Sequence, residues 1–194
     1  MQEKITGLIL AGGQGSRMGH VDKGLQPFRG RPMIAHVLER FLPQVGELLI
    51  NANRNLEQYR SFGHRVIPDE IGGFAGPLAG LERGLTHASH ALVATVPCDS
   101  PFLPRDLVSR LDRAMTEQNA QVAVAKTFDQ PHPVFCLCPV SLAPHLREFL
   151  AAAGRKIDKW YATLRVAEVK FDDEAAAFEN INTLDELAQH ESLP

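Results

Sequence analysis

The chain is predicted to be an α/β protein built on a mostly parallel, doubly wound, Rossmann-like sheet with a small antiparallel excursion. Three observations predict it. Apolar runs of strand length alternate with amphipathic stretches of helix length from end to end. The most continuous apolar run, residues 91–96, suits a central strand covered on both faces. With 194 residues, of which 44% are apolar, the chain can fill a complete core without staples. No linker rich in Pro, Gly or Ser divides it and no internal repeat is visible, so residues 1–194 read as a single domain.

The elements follow in order. Ile5–Leu10 is a buried strand. Residues 33–42 form a helix with Pro32 at its first turn and Ile34, Val37, Leu38 and Phe41 on one face. Residues 47–52 are a second strand and 65–68 a short third. Pro77 opens a helix with Leu78, Leu81 and Leu85 along one stripe. After the central strand, residues 106–118 place Val108, Leu111 and Met115 together on a helix. Residues 122–125 and 134–138 are strands around a turn at 128–130, which is the antiparallel excursion. Ser141 caps the next helix, with Leu142, Leu146, Phe149 and Leu150 inward; 166–171 is a late strand, and Thr183 caps a last short helix.

Composition removes several classes of function. Three cysteines, an odd count, argue against a disulfide framework and for a reducing compartment. A net charge of -3 offers no polycation for nucleic acid. No apolar run approaches the roughly 20 residues of a membrane helix, and Ile5–Leu10 is too short for a signal peptide. A cytoplasmic protein with neither a membrane nor a nucleic-acid partner is expected.

Ligands of such sheets bind at the carboxyl ends of the strands, where the loops depart. Leu10-Ala11-Gly12-Gly13-Gln14-Gly15-Ser16-Arg17-Met18-Gly19 follows the first strand, with Asp22-Lys23 close behind. Glycines let backbone N–H groups approach a polyphosphate, and Arg17 and Lys23 add positive charge. The dinucleotide fingerprint fails because Met18 stands where its third glycine belongs. The P-loop fails because Lys23 lies between Asp22 and Gly24.

This segment resembles the signature of the Gly-rich nucleotidyltransferases, Leu-Ala-Gly-Gly followed by Arg-Met-Gly and Lys. Over almost its whole length the chain is similar to the molybdenum cofactor guanylyltransferase family. The resemblance implies a fold of the nucleotide-diphospho-sugar transferase type, a loop wrapped around a triphosphate, and Leu10, Ala11, Gly12 and Gly13 lining the nucleotide pocket. The signature is shared with sugar-phosphate and cytidylyl transferases, so it identifies the superfamily more sharply than the substrate.

The remaining strand ends carry polar residues. Asn51, in Asn51-Ala52-Asn53-Arg54, is either a reader of base or ribose or part of an Asx turn. Asp69 is either a turn acid or a ligand contact. Gly76-Pro77-Leu78-Ala79-Gly80 starts a helix, and Gly80 inside its first turn costs about 1 kcal/mol of propensity, a reason to expect a close backbone approach there. The resemblance makes Asn51 and Asp69 nucleotide contacts and places Gly76, Pro77 and Gly80 beside the base. Asp99, in Pro97-Cys98-Asp99-Ser100 at the end of the central strand, is either a helix-capping or loop aspartate or a hard oxygen ligand suited to Mg2+. In the resembled family it holds the metal.

In the C-terminal third, Gly154-Arg155-Lys156 and Asn180-Ile181-Asn182-Thr183 also resemble family landmarks, with Leu184 where the family often has Pro. The resemblance assigns this half to a molybdopterin acceptor, with Arg155 and Lys156 on its phosphate and Asn180 or Asn182 on its ring. A solvated basic turn and a helix-capping Asn are the alternatives. Cys136 and Cys138 share a strand face and read as buried thiols; His132, between two prolines, and Trp160 and Tyr161 read as structural. The implied reaction passes GMP from GTP to the acceptor phosphate, with Lys23, Arg17 and Asp99 catalytic and transient contacts to other molybdenum-cofactor proteins. The alternatives are a cytidylyl or sugar-1-phosphate nucleotidyltransferase, or a nucleotide sensor or cofactor carrier without turnover.

Overall fold

A computed structural model describes residues 4–11, 22–70 and 76–179. The elements are β1 (Ile5–Leu10), β2 (Pro27–Phe28), β3 (Arg31–Pro32), α1 (Met33–Phe41), β4 (Glu47–Asn51), α2 (Leu56–Arg60), β5 (Arg65–Ile67), α3 (Pro77–His87) and β6 (Leu92–Pro97). They continue with α4 (Leu107–Glu117), β7 (Val122–Thr127), β8 (Gln130–Pro139), α5 (Ala143–Ala151), α6 (Ile157–Tyr161) and β9 (Val166–Lys170). Among the described residues no helix is long and apolar enough to cross a membrane.

Among the described residues the main sheet has seven strands in the order β5-β4-β1-β6-β8-β7-β9. β5, β4, β1 and β6 are mutually parallel, and so are β7 and β9. Only β8 runs the other way, against β6 on one side and β7 on the other. The expected mixed sheet is therefore present, and the antiparallel excursion is one strand inserted between two parallel groups.

Alternation along each strand divides the apolar residues between two cores. Ile9, Ile50 and Val96 face one side, with Ile34, Val37 and Phe41 of α1, Tyr59 of α2 and Leu107, Val108 and Leu111 of α4. Leu8, Leu49 and Val93 face the other, with Leu78, Leu81 and Leu85 of α3, Leu146 and Leu150 of α5 and Trp160 of α6. Cys136 and Cys138 are buried in this second layer as free thiols. Trp160 is core, donating through Nε1 to His145 Nδ1 at 3.0 Å, and Tyr161 donates to the Pro133 carbonyl at 2.7 Å.

Several expectations are corrected. Ser141 caps nothing: it is exposed within a 3-10 turn, Val140–Leu142, and Pro144 in the first turn sets the start of α5 at Ala143. Phe149 and Met115 are only partly buried, at the margins of their helical stripes. β8 begins at Gln130, before Pro131 and Pro133. Both prolines lie in the stretch beyond its pairing with β6, next to the register shift at Val124/Ala125, where a missing donor is tolerated. The β2–β3 hairpin was not foreseen; Arg29 and Gly30 at its turn both have positive φ, 47° and 76°. Nor were α2 and α6, too short to show a helical period. The expected helix at Thr183 lies outside the described residues.

Candidate active site

The topology places the chain reversal between β1 and β6, so their carboxyl ends are where a ligand crevice is expected. The two ends are tied directly: the Cys98 amide donates to the Leu10 carbonyl at 3.1 Å. Ala11 is tied to β4 in the same way, its amide donating to the Asn51 carbonyl at 2.8 Å. One residue beyond Cys98, Asp99 is 8% exposed, and its Oδ2 accepts from Lys23 Nζ at 3.0 Å. The chain thus returns from the glycine-rich loop to the end of the central strand.

Lys23 stands on a 3-10 turn, Lys23–Leu25, that lies against Tyr59 of α2 and Cys98 just past β6. Gly24 makes this possible, since a Cβ there would lie 2.6 Å from the Tyr59 hydroxyl and 3.2 Å from Cys98 Sγ. Burial first, and then the charges of Asp99 and Asp22, push the Cys98 thiol well above its ordinary range. It is held as a neutral packing group and not as a nucleophile. Burial likewise raises the Tyr59 phenol, with Cys98 and Asp22 adding to the effect, so it remains a donor.

A second network fixes the ends of β4 and β5. Asn51, 2% exposed, donates through Nδ2 to the Ile67 carbonyl at 3.1 Å and to Asp69 Oδ1 at 2.8 Å. Asn53 bridges Asp69 twice, donating to Oδ2 at 2.8 Å and accepting the Asp69 amide at 2.8 Å. The Asn51 amide nitrogen is therefore directed inward, to a residue 18 positions on, rather than into its own turn. Gly80 is required by this packing: a Cβ would lie 2.3 Å from Asn51 Oδ1 and 2.6 Å from Leu10 Cδ2. The close approach expected at Gly80 is thus made by side chains of this chain. Gly76, with φ 72°, precedes Pro77 in the first turn of α3, and a Cβ on Gly76 would lie 4.0 Å from the Arg155 carbonyl.

That proximity brings the C-terminal half to the same edge. Arg155 donates through Nη1 to the carbonyls of Leu150 at 2.8 Å and Gly154 at 2.7 Å, closing the end of α5. Lys156 is exposed and begins α6, its carbonyl accepting from the Trp160 amide. His132 bonds Thr127 Oγ1 through Nε2 at 2.7 Å and stacks on Phe178 with ring centroids 4.8 Å apart. Burial lowers its pKa, leaving the ring neutral near pH 7. Gly12, Gly13, Arg17, Asn180 and Asn182 lie outside the described residues.

Among the described residues no group of three or more His, Cys, Asp or Glu could cage a metal. Asp99, a nearly buried carboxylate at the carboxyl ends of the strands, nevertheless has the oxygen chemistry to hold a divalent cation that arrives with a substrate. Such an ion takes one or two protein carboxylates and completes its shell with phosphate oxygens and water.

Reading residues in isolation missed Asn53, Asn55, Tyr59 and Gly24. Only Asn53 left a signal, as part of the polar run at the end of β4; Tyr59 shows its role only when α2 is folded against the turn at Lys23.

The chain matches the MobA-like NTP transferase domain family over residues 7–168. It is 55% identical to a molybdenum cofactor guanylyltransferase of Cupriavidus taiwanensis and 56% identical to one of Cupriavidus necator, each over 98% of both chains. The crystal structure of the molybdopterin-guanine dinucleotide biosynthesis protein A from Archaeoglobus fulgidus superposes with a TM-score of 0.77 at 25% identity, covering 96% of each chain. Sequence and fold agree, and the chain belongs to the MobA-like NTP transferase domain family as a nucleotidyltransferase.

Proposed function

We propose that the protein transfers GMP from GTP to the phosphate of molybdenum-molybdopterin, forming the guanine dinucleotide cofactor and releasing pyrophosphate. An oxygen of the acceptor phosphate attacks the α-phosphorus in line. The new P–O bond forms as the bond from the α-phosphorus to the bridging oxygen breaks, and pyrophosphate leaves with that electron pair. The attacking oxygen is already anionic, so the site needs neither a general base nor a covalent intermediate. Its work is to hold two polyanions together and to oppose the charge that grows on the leaving group.

The observation that carries this reading is the contact of Lys23 Nζ with Asp99 Oδ2 at 3.0 Å, at the joined ends of β1 and β6. Lys23, together with Arg17 and the amides of Gly12 and Gly13, grips the triphosphate. Asp99 would hold a divalent cation such as Mg2+, which would supply positive charge against that growing on the leaving group. Leu10, Ala11, Gly76 and Pro77 border the nucleoside, Gly80 makes room behind them for Asn51 and Leu10, and Asn51 acts by holding Asp69. Arg155, Lys156, Asn180 and Asn182 receive the acceptor. The assignment of guanine rests on the guanylyltransferases that share 55% and 56% identity with the chain.

The test is pyrophosphate release by the purified protein with magnesium, the molybdopterin acceptor and a panel of GTP, CTP and UTP. Acceptor-dependent release with GTP alone is expected. A preference for CTP or UTP would remove the guanylyl reading, and GTP binding without release would leave a sensor.

A further inference from the structure

We infer that Tyr59 and Asn55 are positioning residues for the transfer: they clasp Asp22 and so deliver Lys23 onto Asp99. This rests on the reading of Lys23 and Asp99 as the charged pair of the reaction.

Tyr59 is fully buried among the side chains of the first core. Phenylalanine would supply the same apolar ring, so the hydroxyl must answer to something else. It donates to Asp22 Oδ1. The other carboxylate oxygen, Oδ2, accepts from Asn55 Nδ2 at 3.0 Å. Both donors come from one short element: Asn55, left-handed at φ 51°, opens α2 and accepts the Tyr59 amide at 3.1 Å. Asn is among the few residues that take this conformation readily while carrying a donor amide.

Asp22 is the residue before Lys23 and the start of the 3-10 turn, with its carbonyl accepting from Leu25 at 3.2 Å. The carboxylate does not cap that turn with its own side chain. It reaches sideways to α2 instead, which fixes where the turn begins. Gly24, sandwiched against the Tyr59 hydroxyl and Cys98, fixes how closely the turn lies on β6. From the backbone held between these two points, Lys23 reaches Asp99 Oδ2 with its Nζ at 3.0 Å. The lysine stem is flexible and its ammonium is a point charge, so the backbone beneath it must set the address.

The experiment is Tyr59→Phe in the full-length protein, alone and combined with Lys23→Ala. Thermal unfolding establishes that each variant folds, and kcat and KM are measured for GTP and for the acceptor. Tyr59→Phe alone is expected to lower kcat/KM for GTP about tenfold to a hundredfold, the effect of losing a hydrogen bond to a charged group. KM for the acceptor should not move. In the Lys23→Ala background the same change should cost less than about twofold, because the clasp acts through that lysine. Folded Tyr59→Phe with unaltered kinetics, or a loss that multiplies fully with Lys23→Ala, overturns the inference. If Tyr59→Phe does not fold, Asn55→Gly replaces it, since glycine keeps the left-handed backbone while removing the amide. A fully active Lys23→Ala enzyme would instead remove the site reading underneath, so the two failures are distinct.

Discussion

Lys23 Nζ lies 3.0 Å from Asp99 Oδ2 although the two residues are 76 positions apart, and this contact links the turn after the glycine-rich loop to the end of β6. Each partner has a separate expected phenotype. Asp99→Asn keeps the shape but removes the charge, and turnover should fall by at least about a hundredfold, the scale of losing one dominant electrostatic group. Lys23→Ala should raise KM for GTP more than it lowers kcat, because on the proposed reading it removes a cation that would grip the triphosphate in the ground state as well. Steady-state kinetics with varied GTP separates the two, and a fully active Asp99→Asn would sink the metal assignment.

Gly24→Ala inserts a methyl group where 2.6 Å separates its position from the Tyr59 hydroxyl. Neither Tyr59 nor Cys98 has room to retreat, both being buried. The cost should be about 1–3 kcal/mol, typical of overpacking, or a fall in Tm of roughly 2–4 °C per kcal/mol for a chain of this size. Activity at low temperature should drop as well, because the turn that moves carries Lys23. Calorimetry and kinetics on the same preparation check both halves.

Gly80→Ala should act on nucleotide affinity. Its Cβ would meet Asn51 Oδ1 at 2.3 Å and Leu10 Cδ2 at 2.6 Å, so Asn51 must rotate and release Asp69. An increase in the Kd for GTP of about tenfold or more, the weight of a well-placed hydrogen bond to a carboxylate, is expected by titration calorimetry. Unchanged GTP binding would mean that this network is purely structural.

Acid stability should depend on Glu47, at the opposite edge of the sheet. Burial raises the pKa of its carboxyl, but hydrogen bonds from Thr6 Oγ1 at 2.6 Å and from the amide and hydroxyl of Ser89 at 2.8 Å outweigh it, and the net shift is downward. His90, 3.8 Å away, contributes in the same direction. A carboxyl whose folded pKa is depressed stabilises the fold above its unfolded pKa, near 4.3 for glutamate, and that stability is lost as pH falls through the folded value. Urea unfolding of the parent protein and Glu47→Gln should therefore differ most at neutral pH and converge below about pH 4. A gap that is constant with pH would contradict the linkage.

Much of the fold could be read from residue patterns because both periods are strong. Ile34, Val37, Leu38 and Phe41 recur as a helix face demands, and 91–96 is apolar throughout, so α1 and β6 were placed to within a residue or so. Contacts that close only in three dimensions were not legible. Gln44 takes the role of helix cap for α4 by accepting the Val108 amide at 3.0 Å from 64 positions away, and no local pattern signals that. In the site, chemistry identified Asp99 and Lys23 as candidates, whereas the inward turn of Asn51 and the hydroxyl of Tyr59 became visible only with β5 and α2 in place. Spacing along the chain says which groups are able to react. Their supports come from strands and helices distant in sequence.

The reversed strand β8 has a consequence for how two large ligands can meet. Because it runs backward between β6 and β7, those two run in the same direction, and both halves of the sheet open onto one rim. α4 carries the chain from β6 across to β7, and the β7–β8 hairpin then brings β8 back between them, while α5 and α6 pack on the other face. The mouths of β6 and β7 are two strand spacings apart, roughly 10 Å. Ligands seated on the two halves would be neighbours on arrival.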